Sequence, residues 1–262
     1  MTSISIVTPT LNAAAYVRDC LASVHGQGVA GLQHVLVDGG STDRTLETAR
    51  HFAHVACLSL PGSRQAQAIN FGLHRVSGEV VAWLNADDQY VPGALVFVAD
   101  QFNGDPALDV LYGDCEVIGP DGQRLWWERP GPYNFRRLLR RGNYLAQPAV
   151  FLRHRIFDEI GYLDESLEYG MDYDLWLRLR GRRVTYAARP LARFRWHPES
   201  KSARGQMQAW AEVLRIARRH GGGWTPEIAW AYARCLVTLA RTRLVLALTG
   251  TAPVGPLTRG SA

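Results

Sequence analysis

Cysteine is scarce and scattered. The 262 residues hold four, Cys20, Cys57, Cys115 and Cys235, with no CxxC spacing among them. That argues against a zinc site or a disulfide framework and makes a reducing compartment the expected setting. No GxGxxG follows the first strand-like run, so a dinucleotide-binding oxidoreductase is not expected. The N-terminus, MTSISIVTPT, lacks a basic leader and passes straight into a strand pattern, so no signal peptide is read there. The longest apolar stretch, 228–248, is broken by Arg234, Arg241 and Arg243, which makes it a poor membrane span. Internal repeats and low-complexity tracts are missing too. Charge of one sign is only slightly in excess: 29 basic against 24 acidic residues, net +5. This balance fits an anionic ligand or an anionic membrane surface and gives no reason to expect nucleic acid.

What is present is a core and an alternation. Hydrophobic residues make up 47% of the chain, enough to bury a sizeable interior. Strand-like runs at 4–7, 34–37, 55–60 and 79–84 alternate with helical patterns. In the first of these patterns Val17, Cys20, Leu21 and Val24 recur at i, i+3, i+4 and i+7, behind Asn12 as an expected cap. Ser41 or Thr42 is expected to cap the second helix. Helices are predicted over 65–76 and 92–102, the latter with Pro92 in its first turn. Such alternation predicts a doubly wound, mostly parallel sheet, in which ligands bind at the carboxyl ends of the strands. Asn12, Asp38 and Asp87 each stand just past a predicted strand end. After Val110 the pattern changes: 111–118 and 123–127 flank GPDG and predict a hairpin. A basic helix end at 136–141, short strands at 149–152 and 183–187, and a helix over 172–180 follow. From 205 onward two or three helices are expected, broken at HGGGWTP.

The apolar run that ends at Leu84 meets Asn85, Asp87 and Asp88. Adjacent like charges at a strand end require a positive partner or a solvated turn. With the pieces around it, this stretch forms an ordered set: SIVTPTLNAAAYVRDCLASV, HVLVDGGSTDRT, AINFGLHRVSGEVVAWLNADDQYVPGAL, LYGD, QPAVFLRHRIFDEIGYLDESLEYGMDYDLWLRL and RFRWHPES. In order and spacing this set, covering roughly Ser3 to Ser202, resembles the family 2 glycosyltransferases of the GT-A fold.

The resemblance implies an α/β, Rossmann-like catalytic domain over 1–202. Its nucleotide-sugar-binding half is 1–114, its acceptor-binding half is 115–202, and a helical extension follows at 203–262. It implies an inverting transfer of a sugar from a nucleotide-diphosphate donor, most commonly a UDP-sugar, to an acceptor hydroxyl of a glycan or lipid-linked substrate. The expected setting is bacterial polysaccharide, lipopolysaccharide or glycan synthesis in the cytoplasm or at the cytoplasmic face of the inner membrane. A divalent cation, Mg²⁺ or Mn²⁺, would offset the charge of the leaving pyrophosphate. The family's Asp-x-Asp motif falls on Asn85, Ala86 and Asp87, with Asn85 in the first acidic place. Metal binding is assigned to Asp87, Asp88 and His197, the last in a loop with Arg195, Ser200 and Lys201. Donor contacts are assigned to Thr8, Pro9, Asp38, Arg64, Gln67, Asn70, Asn85, Ala86 and Asp87. Gly39 stands where many relatives carry a second Asp. In YGMDYDLWLRL, Met171 takes the place of a common Glu, and Asp172 is the expected general base. Asp174 reads as a surface or capping carboxylate. Tyr112, Asp114, Gln147 and Arg153 are assigned to the acceptor side.

Two other readings stand beside this one. Asn85 is compatible with a degenerate glycosyltransferase-like binding or scaffold protein, and the sheet pattern with a nucleotidyltransferase, although TPTLNAAAYVRD lacks the basic phosphate loop that chemistry uses. The C-terminal segment mixes Trp, Leu and Arg at helical spacing. It is read as packing on the catalytic domain or building a homodimer, with contact to a membrane surface as the other use.

Overall fold

A computed structural model gives the fold, and it describes residues 2–201, 206–230 and 233. In chain order the elements are β1 (Ile4–Thr10), α1 (Val17–His25), β2 (Gln33–Asp38), α2 (Thr45–Ala49), β3 (Val55–Ser59), α3 (Gln65–Leu73), β4 (Val80–Trp83), β5 (Gln89–Tyr90) and α4 (Ala94–Gly104). Then come β6 (Val110–Ile118), β7 (Arg124–Glu128), α5 (Phe135–Arg141), β8 (Val150–Arg153), α6 (Ile156–Ile160), α7 (Met171–Arg178), β9 (Val184–Arg195) and α8 (Gln206–Arg219). One sheet takes the strands in the order β3-β2-β1-β4-β8-β6-β9-β5, with β7 beside β6.

The first half of the sheet is parallel throughout: β1 pairs with β2 and β4, and β2 with β3. Strand β1 is buried along all seven residues, which is why ISIVTPT lacks a polar face. The pleat sorts its side chains. Ile4 and Ile6 join one core cluster with Val80, Ala82 and Leu84, while Val7 joins the opposite cluster with Val81 and Trp83. Helix α3 lies so close to the sheet that a Cβ on Gly72 would come within 2.4 Å of Val7 Cγ1, so only glycine fits there. On that same face the indoles of Trp83 and Trp176 stack, with centroids 5.8 Å apart, and lock α7 onto β4.

Past β4 the sheet is mixed. Strand β8 runs antiparallel to β4 and β6, β5 antiparallel to β9, and β7 antiparallel to β6 across the predicted GPDG hairpin, while β6 and β9 are parallel. The strand expected at 183–187 continues to Arg195, because a register irregularity beside Pro190 absorbs the proline that broke the pattern. Helix starts also differ from expectation. Asn12 does not cap α1, which begins at Val17; it takes a positive φ of 50° and its Oδ1 accepts from Thr42 N at 2.9 Å. Asp43, rather than Ser41 or Thr42, meets the start of α2, where its Oδ1 accepts from Thr45 N at 2.9 Å. Pro92 precedes Gly93, the N-cap of α4, instead of lying inside the helix. Among the described residues no helix is long and apolar enough to cross a membrane. Most of the 228–248 stretch lies outside the described residues.

Candidate active site

Because β1, β2 and β4 are parallel, their carboxyl ends meet at one edge, and a cleft of about 650 Å³ opens there. Pro9, Gly39, Arg64, Ala86, Asp87 and His197 line it. A second cavity of about 420 Å³ adjoins it, walled by Trp83, Trp126, Gln147, Tyr169, Asp172 and Trp196. Gln65, Asn85, Asp87, Glu168, Ser200 and Lys201 face both spaces and form the shared wall.

The adjacent carboxylates after β4 have different fates. Asp88 is 0% exposed; its Oδ1 accepts from Arg195 N at 2.9 Å and its Oδ2 from Asn85 Nδ2 at 3.2 Å. Burial, reinforced by the charge of Asp87, pushes the Asp88 carboxyl well above the usual carboxylate range. Asp87 instead faces both cavities, and its Oδ2 lies 3.1 Å from His197 Nε2. The positive partner that the sequence demanded is Arg195, only 2% exposed. Its Nε donates to Asp87 O at 3.1 Å, and its guanidinium reaches Pro120 O at 2.9 Å and Asp19 Oδ2 at 3.1 Å. This arginine fastens the end of β9 to the carboxylate loop and so delivers His197, two residues on, to Asp87. The His197 ring is backed by Tyr16, with centroids 4.9 Å apart.

Asn85 is the hub of the wall. Its Oδ1 accepts from Gln65 Nε2 at 2.7 Å, and its Nδ2 reaches Gln147 Oε1 at 3.2 Å. Gln147 in turn donates to Trp83 O at 2.8 Å. Lys201, the sole lysine of the sequence, donates to Gln65 Oε1 at 3.1 Å and pairs with Glu168 at 2.8 Å. Across the second cavity Asp172 is half-buried at the start of α7, where its Oδ2 accepts from Asn143 Nδ2 and its Oδ1 from Tyr173 N, both at 2.8 Å. Burial raises its carboxyl from 3.8 to about 6, against the pull of those hydrogen bonds and of Lys201. A carboxylate close to neutrality at the edge of a cavity can take a proton from a hydroxyl.

Of the residues singled out in the sequence, Pro9, Arg64, Asn85, Ala86, Asp87 and His197 thus gather on the first cleft, and Gln147 and Asp172 on the second. Others are used elsewhere. Thr8 is buried with its Oγ1 2.9 Å from His34 Nε2. Asp38 closes its own turn, its Oδ2 accepting from Gly40 N at 3.0 Å and Ser41 N at 2.9 Å, so Gly39 is the residue that meets the cleft. Gln67 folds back to cap α3 at Arg64 N (2.9 Å). Asn70 braces the loop at Leu163, donating to its carbonyl at 2.9 Å and accepting from its N–H at 3.1 Å.

On the acceptor side three assignments are corrected. Tyr112 is buried with its hydroxyl on Gly131 O at 2.5 Å, and Asp114 accepts from the Tyr186 hydroxyl; neither lines either of these two cavities. Arg153 pairs with Val80 at the opposite end of β4, roughly 17 Å along the strand from Asn85. There its guanidinium donates to Phe102 O at 3.0 Å and meets Glu79 at 3.3 Å. Asp174 is no surface group: it is buried between Arg178 at 3.0 Å and His220 at 3.0 Å. Gln65, Glu168 and Asn143 went unnoticed in the sequence. Gln65 carries a faint signal, since it stands one helical position from the cleft-facing Arg64 and two from Gln67.

The arrangement is a parallel half-sheet whose strand ends share a wall with an acid-lined second cavity, on a GT-A-like fold. The profile of glycosyl transferase family 2 matches residues 5–161. A PGL/p-HBAD biosynthesis glycosyltransferase of Mycobacterium tuberculosis is 34% identical over 180 residues, covering 66% of this chain and 68% of that protein. An uncharacterized glycosyltransferase of Rickettsia typhi is 29% identical over 188 residues, and the match covers 67% of this chain and 58% of that protein. Among solved structures, S. aureus TarS 1-349 in complex with UDP-GlcNAc superposes with a TM-score of 0.67 at 18% identity, covering 95% of this chain and 76% of that one. The longer S. aureus TarS structure gives 0.66 at 19% identity, covering 93% of this chain and 43% of that one. The chain belongs to glycosyl transferase family 2.

Proposed function

We propose that the protein transfers a sugar, with inversion, from a nucleoside-diphosphate sugar in the first cleft to an acceptor hydroxyl in the second. The observation that carries this reading is the shared wall: the two cavities meet at Asn85, Asp87 and Lys201, with Asp172 on the far side of the second. Asp172 takes the proton of the acceptor hydroxyl as its oxygen attacks the anomeric carbon. The bond from that carbon to the diphosphate breaks on the opposite face, and its electron pair leaves with the nucleotide. Lys201 and Arg64 stand where they can meet the charge that develops on the diphosphate.

Asp87 and His197 offer one carboxylate and one imidazole at the cleft, a donor set that suits Mn²⁺ or Mg²⁺ when diphosphate oxygens and water complete the shell. Among the described residues no three His, Cys, Asp or Glu side chains come together as a self-sufficient metal site. The cation would supply electrostatic stabilisation of the leaving diphosphate. Asp88 serves by holding Arg195 and Asn85.

The donor is proposed to be a UDP-sugar, on the likeness to the UDP-GlcNAc complex. The acceptor is proposed to be a glycan or lipid-linked hydroxyl of the bacterial envelope, in line with the biosynthetic name of the mycobacterial relative. Trp224 and Trp230 are 53% and 66% exposed beside the Arg140–Glu227 pair, which supports a peripheral contact with the cytoplasmic face of a membrane.

The test is calorimetric titration with UDP, GDP, TDP and CMP, each with and without Mn²⁺. Metal-dependent binding of one nucleoside diphosphate, lost in Asp87→Ala, is the expected result. No binding by any of them overturns the reading and favours a degenerate scaffold.

A further inference from the structure

Three successive backbone N–H groups in the loop that enters α7 converge on one carboxylate. Glu212 of α8 accepts from Glu168 N at 2.9 and 3.2 Å through its two oxygens, from Tyr169 N at 2.7 Å and from Gly170 N at 2.9 Å. Consecutive N–H groups of this kind form a nest for an anion, and here the chain fills the nest with its own side chain. Burial pushes the Glu212 carboxyl up, the three N–H bonds pull it down, and the bonds prevail, so that it lies below the usual range.

The packing is equally close. A Cβ on Gly170 would lie 2.5 Å from Ile216 Cδ1, so glycine is what lets α8 approach the loop. Two further contacts hold α8 in place: Arg219 reaches Asp164 at 2.9 Å, and His220 Nε2 reaches Asp174 Oδ1 at 3.0 Å. The clamped loop carries two groups of the site. Glu168 holds Lys201 at the shared wall at 2.8 Å, and Gly170 is the N-cap of α7, two residues ahead of Asp172.

We propose that Glu212 is a positioning residue for the transfer reaction: it fixes the loop that presents Asp172 to the acceptor cavity and Glu168 to Lys201. The proposal rests on the reading of Asp172 as the general base. It makes helix α8 a part of the catalytic machinery rather than an appendage to it.

The test compares wild type, Glu212→Ala and Glu212→Gln, with UDP-GlcNAc and Mn²⁺ as probe and water as the default acceptor. UDP affinity, the pH dependence of UDP release and the thermal midpoint are measured on each. The expected result for Glu212→Ala is UDP affinity within about twofold of wild type and kcat reduced roughly 10–100-fold, the scale of a misplaced catalytic group. Its acidic limb should move below pH 6 as water reaches Asp172. Glu212→Gln keeps the shape and one acceptor oxygen, and should recover part of kcat; it also serves if the alanine variant does not fold. An active wild type with unchanged kcat in both variants overturns the proposal alone, as does a parallel loss of UDP affinity, kcat and thermal midpoint, which marks a merely structural role. A wild type that releases no UDP overturns the transfer reading, and the proposal with it.

Discussion

Asp172→Asn should lose activity and gain stability at once. As the proposed general base, its carboxylate is worth roughly 10²–10⁴-fold in rate, which the amide cannot supply. The stability side follows from its environment. Burial raises the carboxyl from 3.8 to about 6, so the folded state prefers the protonated form. Below pH 3.8 both folded and unfolded chains are protonated and nothing is lost. As pH climbs from 3.8 to 6 the folded protein holds a proton that the unfolded chain has released, and stability falls. Above pH 6 the cost is complete, at most about 3 kcal/mol at 1.36 kcal/mol per pH unit. Partial solvent access lowers that ceiling, and the amide gives up the bond from Asn143, worth about 1 kcal/mol. A net gain of about 1–2 kcal/mol at pH 8 raises the melting temperature by about 2–8 °C in a protein of this size. The assay is thermal unfolding of both proteins at pH 8 and pH 4, beside nucleotide release at pH 8. The difference in melting temperature should shrink at pH 4. A variant that melts at or below wild type at pH 8, or that keeps near-normal turnover, refutes the reasoning.

The carboxylates after β4 should separate by experiment. Asp87→Ala and His197→Ala should each weaken Mn²⁺-dependent nucleotide binding at little cost to folding. Asp88→Ala should instead lower stability by about 1–3 kcal/mol, as read by urea unfolding, because it removes the side-chain acceptor of Arg195 N and one of the two acceptors of Asn85 Nδ2. Arg153→Ala should destabilise the protein, since it empties a buried guanidinium site, yet leave acceptor KM unchanged; a raised KM would restore it to the acceptor side. His34 should make the fold acid-sensitive. Burial, then the neighbouring His54, hold its imidazole from 6.5 down to about 3, so stability drops as pH falls through that window, by at most roughly 4–5 kcal/mol. Asp172 acts in the opposite direction between 3.8 and 6, so the His34 effect is best read as the difference between wild type and His34→Gln across pH 7 to 4.

The parallel half of the molecule was legible because its signals are local. Val17, Cys20, Leu21 and Val24, picked out by their spacing, are the buried face of α1. Strand ends that carry polar residues point to a ligand edge whatever the rest of the chain does. The mixed half was less legible because its pairings are not local. Strand β9 is long only because β6 and β5 accept it, and a proline in its middle hides it from any periodicity. The site divides in the same way. Asp87 and Asp172, which face the cavities, were singled out by their motifs, whereas the wall residue Gln65 and the clamp Glu212 depend on partners 20 and 42 or more positions away. Asp38, Gln67 and Asn70 show the converse. A polar side chain near a strand end or a helix start satisfies its own backbone as readily as a ligand, and only the folded geometry distinguishes the two.

Lys201 gives this wall a chemical consequence. Apart from the terminal amine, it is the single primary amine that the sequence offers to an acylating or reductive-methylating reagent. It stands where the two cavities meet, between Gln65 and Glu168. A methyl or fluoroacyl tag on that nitrogen would give one NMR signal from the junction of the two cavities, with no other lysine to mask it. Protection of the amine by a nucleotide, or by an acceptor alone, would then report which side of the wall is occupied, without any need to observe turnover.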